Sequence, residues 1–495
     1  MGYFEMTSPE SLGISSEAIR SFLEACGRAG LELHRLMILR HGKCCAKVTW
    51  APYGEEDLHP LYSFSKSFTA TAIGFARQEG LLSLDEKIAD IFPEDLPENP
   101  SENLKACTIH HLLCMSCGHE TEARDFSPEW RKRFFAHPFL HEPGTFYYYN
   151  TAGTNILAAI IRKRTGLQVT EYLRPRLFDP LGIGEVPCAD LPDELHTQIG
   201  GAGMKASLDT LAKFTQFMLQ DGVWEGKALL PGWYHELAGV KQMETAGDSE
   251  GHIKDWACGY GYQCWLNPFP GSFRADGAFG QFGLVYPSLD LAIIMNAATE
   301  QTQTQLDAVN EYLLPNVEPA HTAGETQTDG KPFVAQLSVQ GLLSCRNPAR
   351  EKELAGACFV PASEADACSL EEFVGGSGLF DIRKDPVLSG LKFDFTEKAL
   401  LIRAEADGNE DLITAALDGS FACSEAGGHT YAATARWRSL DKLELEVRRT
   451  DALSGGRFIL TFNGKDMTIQ GDDTLMALFG LGMVDRPLRT WRRLP

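Results

Sequence analysis

The stretch LYSFSKSFTATAIGFARQE, residues 61–79, places a serine three positions before a lysine at the start of an apolar segment. Its apolar residues recur at the helical period, at Leu61, Phe64, Phe68, Ala72, Ile73 and Phe75, and Gly80 supplies a stop. Residues three apart lie one above the other on a helix, so Ser63 and Lys66 share a face. A lysine among apolar groups loses affinity for its proton, which predicts Ser63 as a nucleophile and Lys66 as its base. A serine that caps an ordinary core helix is the alternative.

The residues before this stretch predict a helix and a hairpin. Residues 15–28, SSEAIRSFLEACGR, have an N-capping serine and a repeated apolar face. Residues 36–40 and 44–50 predict two strands that are joined by a turn at 41–43. A helix, an antiparallel hairpin and the serine-bearing helix therefore come in succession.

The composition narrows the classes of partner. The chain has 495 residues and a net charge of −22, which argues against nucleic acid or an anionic membrane surface as partner. A small-molecule or peptide substrate remains, and the oligomeric state stays open. The N-terminus has no basic region followed by an apolar run, and no later segment offers about 18 uninterrupted apolar residues. These features predict a cytoplasmic protein.

The cysteines predict reduced thiols and no metal site. There are 13 cysteines, an odd number spread along a long chain, which is not typical of a disulfide framework. One cluster holds ligand types and spacings that zinc uses: His110, His111, Cys114, Cys117 and His119. Leu112 and Leu113 favour a short core helix that ends at Gly118, and no second ligand pair follows. We therefore expect neither a metal nor a cofactor.

A second chemical motif is PGTFYYYN, residues 143–150, before another apolar helix. A tyrosine at this place predicts a proton shuttle, because a neighbouring lysine ammonium lowers the phenol pKa from about 10. Aromatic lining of a core is the alternative interpretation.

Three motifs in order, SFSK, PGTFYYYN and ADGAFGQFG, resemble the serine β-lactamase and penicillin-binding-protein superfamily, in its class C-like and esterase-like branch. The resemblance covers residues 10–315. It implies an α/β (α+β) fold: an antiparallel sheet flanked by helices, with a helical insertion at about 90–200. It also implies acyl transfer to Ser63.

The resemblance further implies the tyrosine and its neighbours. The family pattern of tyrosine, any residue and asparagine, read literally, selects Tyr148 and Asn150. Counting four residues from Thr145, as is usual in the family, selects Tyr149 instead, with Thr151 where asparagine is expected. We predict Tyr149 as the catalytic tyrosine and keep Tyr148 as the alternative.

The third family motif is implied at Ala278, Phe279 and Gly280, on the strand that flanks the serine. The family carries a lysine or histidine at its first position, and this chain has none there. The backbone amides of Ser63 and Gln281 are implied as the oxyanion hole. Without the cation, β-lactam turnover is expected to be poor unless Arg274 substitutes. Aromatic residues near this strand suit an apolar ester or amide, or a packed core: Trp265, Phe269, Phe273 and Phe279.

The remaining chain predicts a separate domain. The predicted domains are a hydrolase domain at 1–318, a polar linker at 319–334 and a C-terminal antiparallel β domain at 335–495. The sequence as a whole predicts a serine hydrolase that forms an acyl-enzyme from an ester, an amide or a D-amino-acid peptide. The alternative is a non-catalytic or slowly deacylating sensor with the same fold.

Overall fold

The computed structural model describes residues 3–123, 125–246, 254–318, 330–374, 386–473 and 488–495. Two compact units form: Met1–Val48 with Pro60–Ala335, and Thr49–His59 with Gln336–Pro495. The predicted boundaries at 318 and 335 stay a prediction, and residues 319–329 of the predicted linker lie outside the described residues.

A seven-stranded sheet organises the first unit. Its strands, from one edge to the other, are Phe333–Ser338, Lys43–Ala51, Leu33–Arg40, Leu291–Ala297, Gln281–Tyr286, Phe273–Gly277 and Trp265–Leu266. The last five pair antiparallel, with Met37 opposite Ile294 and Ala275 opposite Gly283. The predicted hairpin is confirmed, with a tighter turn at His41 and Gly42 than the sequence indicated.

Helices cover the sheet and fill the stretch between residues 88 and 181. The α-helices of this unit are Ser16–Arg28, Ser65–Gln78, Ile88–Ile91, Glu102–Ala106, Ile109–Leu113, Trp130–Ala136, Thr151–Thr165, Val169–Leu173, Asp179–Leu181, Leu208–Leu219 and Thr302–Ala308. Short strands lie at His59–Pro60, Lys205–Ala206, Val223–Trp224 and Lys227–Ala228. The predicted antiparallel sheet with flanking helices is confirmed.

The helix Ser65–Gln78, which we call the central helix, is the most enclosed of these. Residues 65–76 are all buried, and the helix ends before Gly80, whose φ of +72° suits glycine. Phe68 stacks on Phe214 of Leu208–Leu219 at 3.8 Å between ring centroids. The central helix also packs against Thr151–Thr165, which we call the facing helix. Apolar burial on several sides fixes the place from which Ser63 and Lys66 project.

The second unit is a ten-stranded sheet that closes into a barrel. Its strands are Ala357–Pro361, Leu388–Phe395, Ala399–Ala406, Asn409–Ala416, Ala422–Ala426, His429–Trp437, Lys442–Arg449, Ser454–Asn463, Asp466–Asp473 and Arg489–Arg493, with helices Pro348–Leu354 and Leu370–Val374. Neighbours along the sheet pair antiparallel, and a parallel pairing of Ala415 with Ala433 adds a closing contact. Alternating residues such as Phe393, Ile402 and Leu445 fill the interior. The predicted C-terminal β domain is confirmed.

Two further features concern both units. In the ranges that the structure describes, no helix is both long and apolar enough to cross a membrane. All 13 cysteines, every one of them within those ranges, are free thiols.

Candidate active site

Ser63 lies in a tight turn immediately before the central helix. Residues Tyr62–Phe64 form one 3₁₀ turn, and Tyr62 has a φ of +47°, a left-handed conformation that costs a bulky residue about 1–3 kcal/mol. Tyr62 and Phe64 are buried, whereas Ser63 between them is half-buried. The flanking aromatic residues hold this strained turn in place and leave the serine hydroxyl at its surface.

Lys66 lies one helical turn below Ser63 and is 1% exposed. Its Nζ is 3.1 Å from Ser63 Oγ, 3.1 Å from Thr151 Oγ1 and 2.7 Å from the Gly201 carbonyl oxygen. Burial lowers the pKa of Lys66 to about 7, although the charges of Glu122 and Asp276 act in the opposite direction. A lysine with this pKa is partly neutral near pH 7 and can accept a proton from the serine.

The facing helix supplies Thr151 to the site and turns Asn150 away from it. Asn150 caps the helix, because its Oδ1 accepts from the Gly153 amide at 2.9 Å. Its Nδ2 donates to His119 Nδ1 at 3.0 Å, inside the helical region. Thr151 is the next residue, and its hydroxyl contacts Lys66. Of the two, the structure brings Thr151 to the lysine.

Tyr149 lies beside Lys66 and within a group of aromatic residues. Lys66 Nζ is 4.9 Å from the centroid of the Tyr149 ring, which stacks on Trp265 at 5.7 Å. Tyr148 is half-buried like Tyr149, and its backbone amide donates to the Met115 carbonyl. The ring contact places Tyr149 next to the lysine, as its register predicts, and its catalytic role remains a proposal.

The structure corrects the predicted placement of the third motif, because residues 278–280 do not lie on the strand that flanks the serine. The strand that flanks the serine ends at Gly277, and residues 278–280 form the turn into the next strand, with φ of +65° at Phe279 and +88° at Gly280. A Cβ atom at Gly277 would lie 2.2 Å from the Leu61 oxygen and 3.1 Å from the Phe64 nitrogen. A Cβ atom at Gly280 would instead meet the Gln305 side chain. The strand therefore approaches the Ser63 turn at Gly277.

Gln281 belongs to the interior of the sheet. It is the pairing partner of Gly277 and is fully buried. Its Nε2 donates to the carbonyls of Ala278 and Ala297, and its Oε1 accepts from Asn296. The residue next to Gly277 on the side of the turn is Ala278, whereas Gln281 lies beyond the turn.

Arg274 is buried, so it does not take the place of the missing substrate-binding cation. It is fully buried, and its Nε donates to Asp276 Oδ2 at 2.8 Å. Its Nη1 donates to the Leu266 carbonyl and to Asn267 Oδ1. Its guanidinium also lies 4.9 Å from the Trp256 ring centroid. These contacts enclose Arg274 within the protein, so the idea that it holds a substrate carboxylate is corrected.

The predicted aromatic surface divides between two places. Trp265 packs against Tyr149, and Phe279 contacts Tyr62 edge-on at 5.3 Å, so both lie beside the site. Phe273 is buried, and a Cβ atom at Gly239 would collide with its ring. Phe269 contacts Tyr286 instead.

The histidine and cysteine cluster is used for contacts within the protein. His110 Nδ1 is 2.6 Å from the Tyr262 hydroxyl, and His111 Nδ1 accepts from the Thr108 amide. Burial lowers the pKa of His111 to about 4 and that of His119 to about 3. The helix here ends at Leu113 rather than at Gly118. Within the described ranges, no three or more such side chains form a group that could hold a metal.

Sequence reasoning missed several residues of the site. Gly201 accepts from Lys66 through its carbonyl, and Glu122 accepts from the Ala152 amide at the start of the facing helix. Asp276 and Gly277 lie on the strand beside the serine turn. One indication of Gly277 was present in the sequence, because ADG at 275–277 ends in glycine just as AFG at 278–280 does.

Comparison with known proteins gives a match over most of the first unit. The family model described as Beta-lactamase matches residues 16–314. The 6-aminohexanoate-dimer hydrolase of Paenarthrobacter ureafaciens is 25% identical over 278 residues, 52% of this chain and 70% of that protein. The lovastatin esterase of Penicillium rubens is 28% identical over 159 residues, 27% of this chain and 40% of the esterase.

A solved structure agrees with the fold. The penicillin-binding protein homologue from Caulobacter crescentus superposes with a TM-score of 0.50 at 17% identity, covering 62% of this chain and 99% of that chain.

Proposed function

The chain belongs to the beta-lactamase family and is a serine hydrolase, and from this premise we propose that it cleaves an ester or amide by acyl transfer to Ser63. The observation that carries the proposal is the 3.1 Å contact between Ser63 Oγ and a buried Lys66 whose pKa is lowered to about 7. A neutral amine at this distance can take the hydroxyl proton as the serine attacks.

The reaction proceeds in two halves. Ser63 Oγ bonds to the carbonyl carbon while Lys66 takes its proton, and the leaving alcohol or amine departs with that proton. Water then attacks the acyl carbon, Lys66 takes its proton, and Ser63 Oγ leaves with that proton as the acid is released. The contacts of Lys66 Nζ with Gly201 and Thr151 keep it oriented through both halves.

Tyr149 is proposed as the proton shuttle to the leaving group. Support comes from its ring contact with Lys66 and from its position two residues before Thr151, whose hydroxyl also contacts Lys66. Tyr148 remains the alternative, and Tyr149→Phe beside Tyr148→Phe separates them. We expect the larger loss of kcat in Tyr149→Phe.

The oxyanion hole is proposed at the backbone amides of Ser63 and Ala278. Ala278 directly follows Gly277, where the strand approaches the serine turn most closely. Two such amides stabilise the developing oxyanion, and the loss of one donor raises the activation free energy by about 3–4 kcal/mol. Ala278 therefore takes the role that the sequence assigned to Gln281.

Esters and amides are the proposed substrates, and β-lactams are expected to be poor ones. Named relatives include a 6-aminohexanoate-dimer hydrolase and a lovastatin esterase. With the register proposed here the first position of the third motif is Ala275, which is also not a cation. A non-catalytic or slowly deacylating sensor is not favoured, because the named relatives are hydrolases.

We propose that the protein acts in the cytoplasm. Its proposed substrate is a small molecule or a peptide. The 13 free thiols support a reducing compartment, and the net charge of −22 argues against nucleic acid as the partner.

Labelling with a fluorophosphonate, read by intact mass, tests the nucleophile. We expect one adduct and steady p-nitrophenyl ester turnover in the wild type, and neither in Ser63→Ala. Ser67→Ala is the matched control, because Ser67 Oγ donates to the Gln263 carbonyl inside the protein. Labelling that persists in Ser63→Ala would contradict the assignment, and labelling without turnover would favour the sensor.

A further inference from the structure

Asp276 stands on the strand where the family resemblance implies a substrate-holding cation. It immediately precedes Gly277, the residue at which this strand meets the Ser63 turn. Its side chain is 11% exposed, whereas Arg274, its ion-pair partner, is fully enclosed. An approaching substrate therefore meets the carboxylate of this pair before the guanidinium.

Two carboxylates, those of Asp276 and Glu122, act on Lys66. Arg274 pairs with Asp276 and also donates to the backbone oxygen of Asp255. The carboxylate of Asp255 is held separately by Gln303 and Asn310. Glu122 is the second carboxylate that acts on Lys66, and it accepts from the Ala152 amide at the start of the facing helix. Two carboxylates, Asp276 and Glu122, therefore act on this part of the site, and Lys66 must be neutral to act as a base.

Aromatic rings line the same region, but they do not determine whether the bound substrate group is apolar or cationic. Tyr149, Tyr260 and Trp265 form one cluster, and Tyr149 is half-buried. Such rings bind an apolar group and, through their faces, a quaternary ammonium of the same shape. The surrounding carboxylates therefore decide between the two.

We propose that Asp276 is a specificity-determining residue, and that the site prefers esters or amides with an ammonium group near the scissile bond over those with a carboxylate. This inference rests on the proposed acyl transfer to Ser63. A charge in a partly desolvated site acts more strongly on the substrate than it would in water.

Isosteric substrates separate charge from shape. One series consists of p-nitrophenyl esters of a butanoyl chain that ends in trimethylammonium, in tert-butyl or in carboxylate. A second pair places the charge on the leaving group, as acetylcholine and its tert-butyl analogue. We expect kcat/KM to be about tenfold higher for trimethylammonium than for tert-butyl in at least one series, and lowest for the carboxylate.

Asp276→Asn keeps the shape of the side chain and removes its charge. We expect the ratio of trimethylammonium to tert-butyl turnover to fall toward one, and the ratio within each variant cancels any change in overall activity. Asp290→Asn is the matched control, because Asp290 follows the far end of the strand that begins at Gln281. Its φ of +45° is tolerated by asparagine, and we expect the wild-type ratio there.

A wild-type ratio near one in both series, or a preference that survives Asp276→Asn, would overturn the inference. If Asp276→Asn does not fold, the wild-type ratio and Glu122→Gln, where we expect a smaller fall, decide the question. If no ester turns over, labelling rates of fluorophosphonates with the same two end groups give the ratio. Absence of any labelling at Ser63 would refute the proposed function itself, whereas a flat ratio in an active enzyme refutes only the inference.

Discussion

Two buried lysines in the first unit have opposite surroundings. Lys213, on the helix Leu208–Leu219, pairs with Asp209 at 2.8 Å and donates to the Gly182 carbonyl. Lys66, on the central helix, donates to the hydroxyls of Ser63 and Thr151 and to the Gly201 carbonyl, which carry no charge. Both are less than 10% exposed. Burial alone therefore does not identify a base. The groups in direct contact with Lys66 are neutral acceptors, whereas a carboxylate in direct contact favours the protonated form of an amine.

The largest expected effect comes from replacing Lys66, the first lysine of this comparison. Lys66→Met removes the proposed base, and we expect kcat/KM to fall by about a thousandfold, within the range for loss of a general base. The melting temperature is expected to hold or rise, because a buried amine is replaced by an apolar group.

Lys213→Met is the matched control and should behave in the opposite way. It removes the ion-pair partner of Asp209, so we expect a melting temperature lower by about 2 °C with kcat unchanged. Equal losses of activity in both variants would refute the distinction between them.

The next effect concerns the turn that sets the distance from Ser63 to Lys66. Gly277→Ala would push a Cβ atom into the Leu61 oxygen, and we expect kcat to fall about a hundredfold through misplacement of the serine. Gly280→Ala also introduces a Cβ atom, but it does so at a left-handed residue and against Gln305. It should lower the melting temperature more than it lowers kcat. Melting curves and ester kinetics for both variants check this, and a greater activity loss in Gly280→Ala would restore the original register.

The pH dependence sharpens the assignment of Lys66. With a pKa of about 7, Lys66 is protonated below that pH, so kcat/KM should fall by about tenfold per unit of decreasing pH there. Between about pH 7 and 10.5 the unfolded chain binds this proton and the folded chain has released it. The Lys66 contribution to the free energy of unfolding therefore rises with pH across that window.

The comparison of wild type with Lys66→Met isolates that contribution. We expect the wild type to gain stability relative to the variant as the pH rises from 7 to 10.5, as followed by denaturant unfolding. A constant difference between the two proteins across this window would contradict the lowered pKa.

The smallest effect concerns Thr151, one of the neutral acceptors around Lys66. Thr151→Val removes its hydroxyl and keeps its shape, and we expect kcat to fall about fivefold, as loss of one hydrogen bond predicts. Thr151→Ser, which keeps the hydroxyl, should retain most of the activity. A valine variant at full activity would show that the contact does not orient the lysine.

Much of the fold was predictable because its determinants are local. The alternating strands after residue 388 and the helix Ser16–Arg28 follow from patterns within single elements. Ser63 and Lys66 come together for the same reason, since one helical turn brings them into register. The choice of Tyr149 over Tyr148 depended on counting from Thr145, again a local distance, and its catalytic role stays a prediction.

The sequence by itself determined which helix carries Lys66 directly after the Ser63 turn, and that a β domain follows the hydrolase unit. Only the tertiary structure decided which glycine meets the Ser63 turn. Ala275–Gly277 and Ala278–Gly280 look alike in sequence, but it is Gly277 that lies against the backbone of Leu61 and Phe64. It also decided that Arg274 is enclosed, that Asp276 and Glu122 act on Lys66, and that Ala415 pairs with Ala433. These features depend on contacts between residues far apart in the chain, and local periodicity carries no information about such distances.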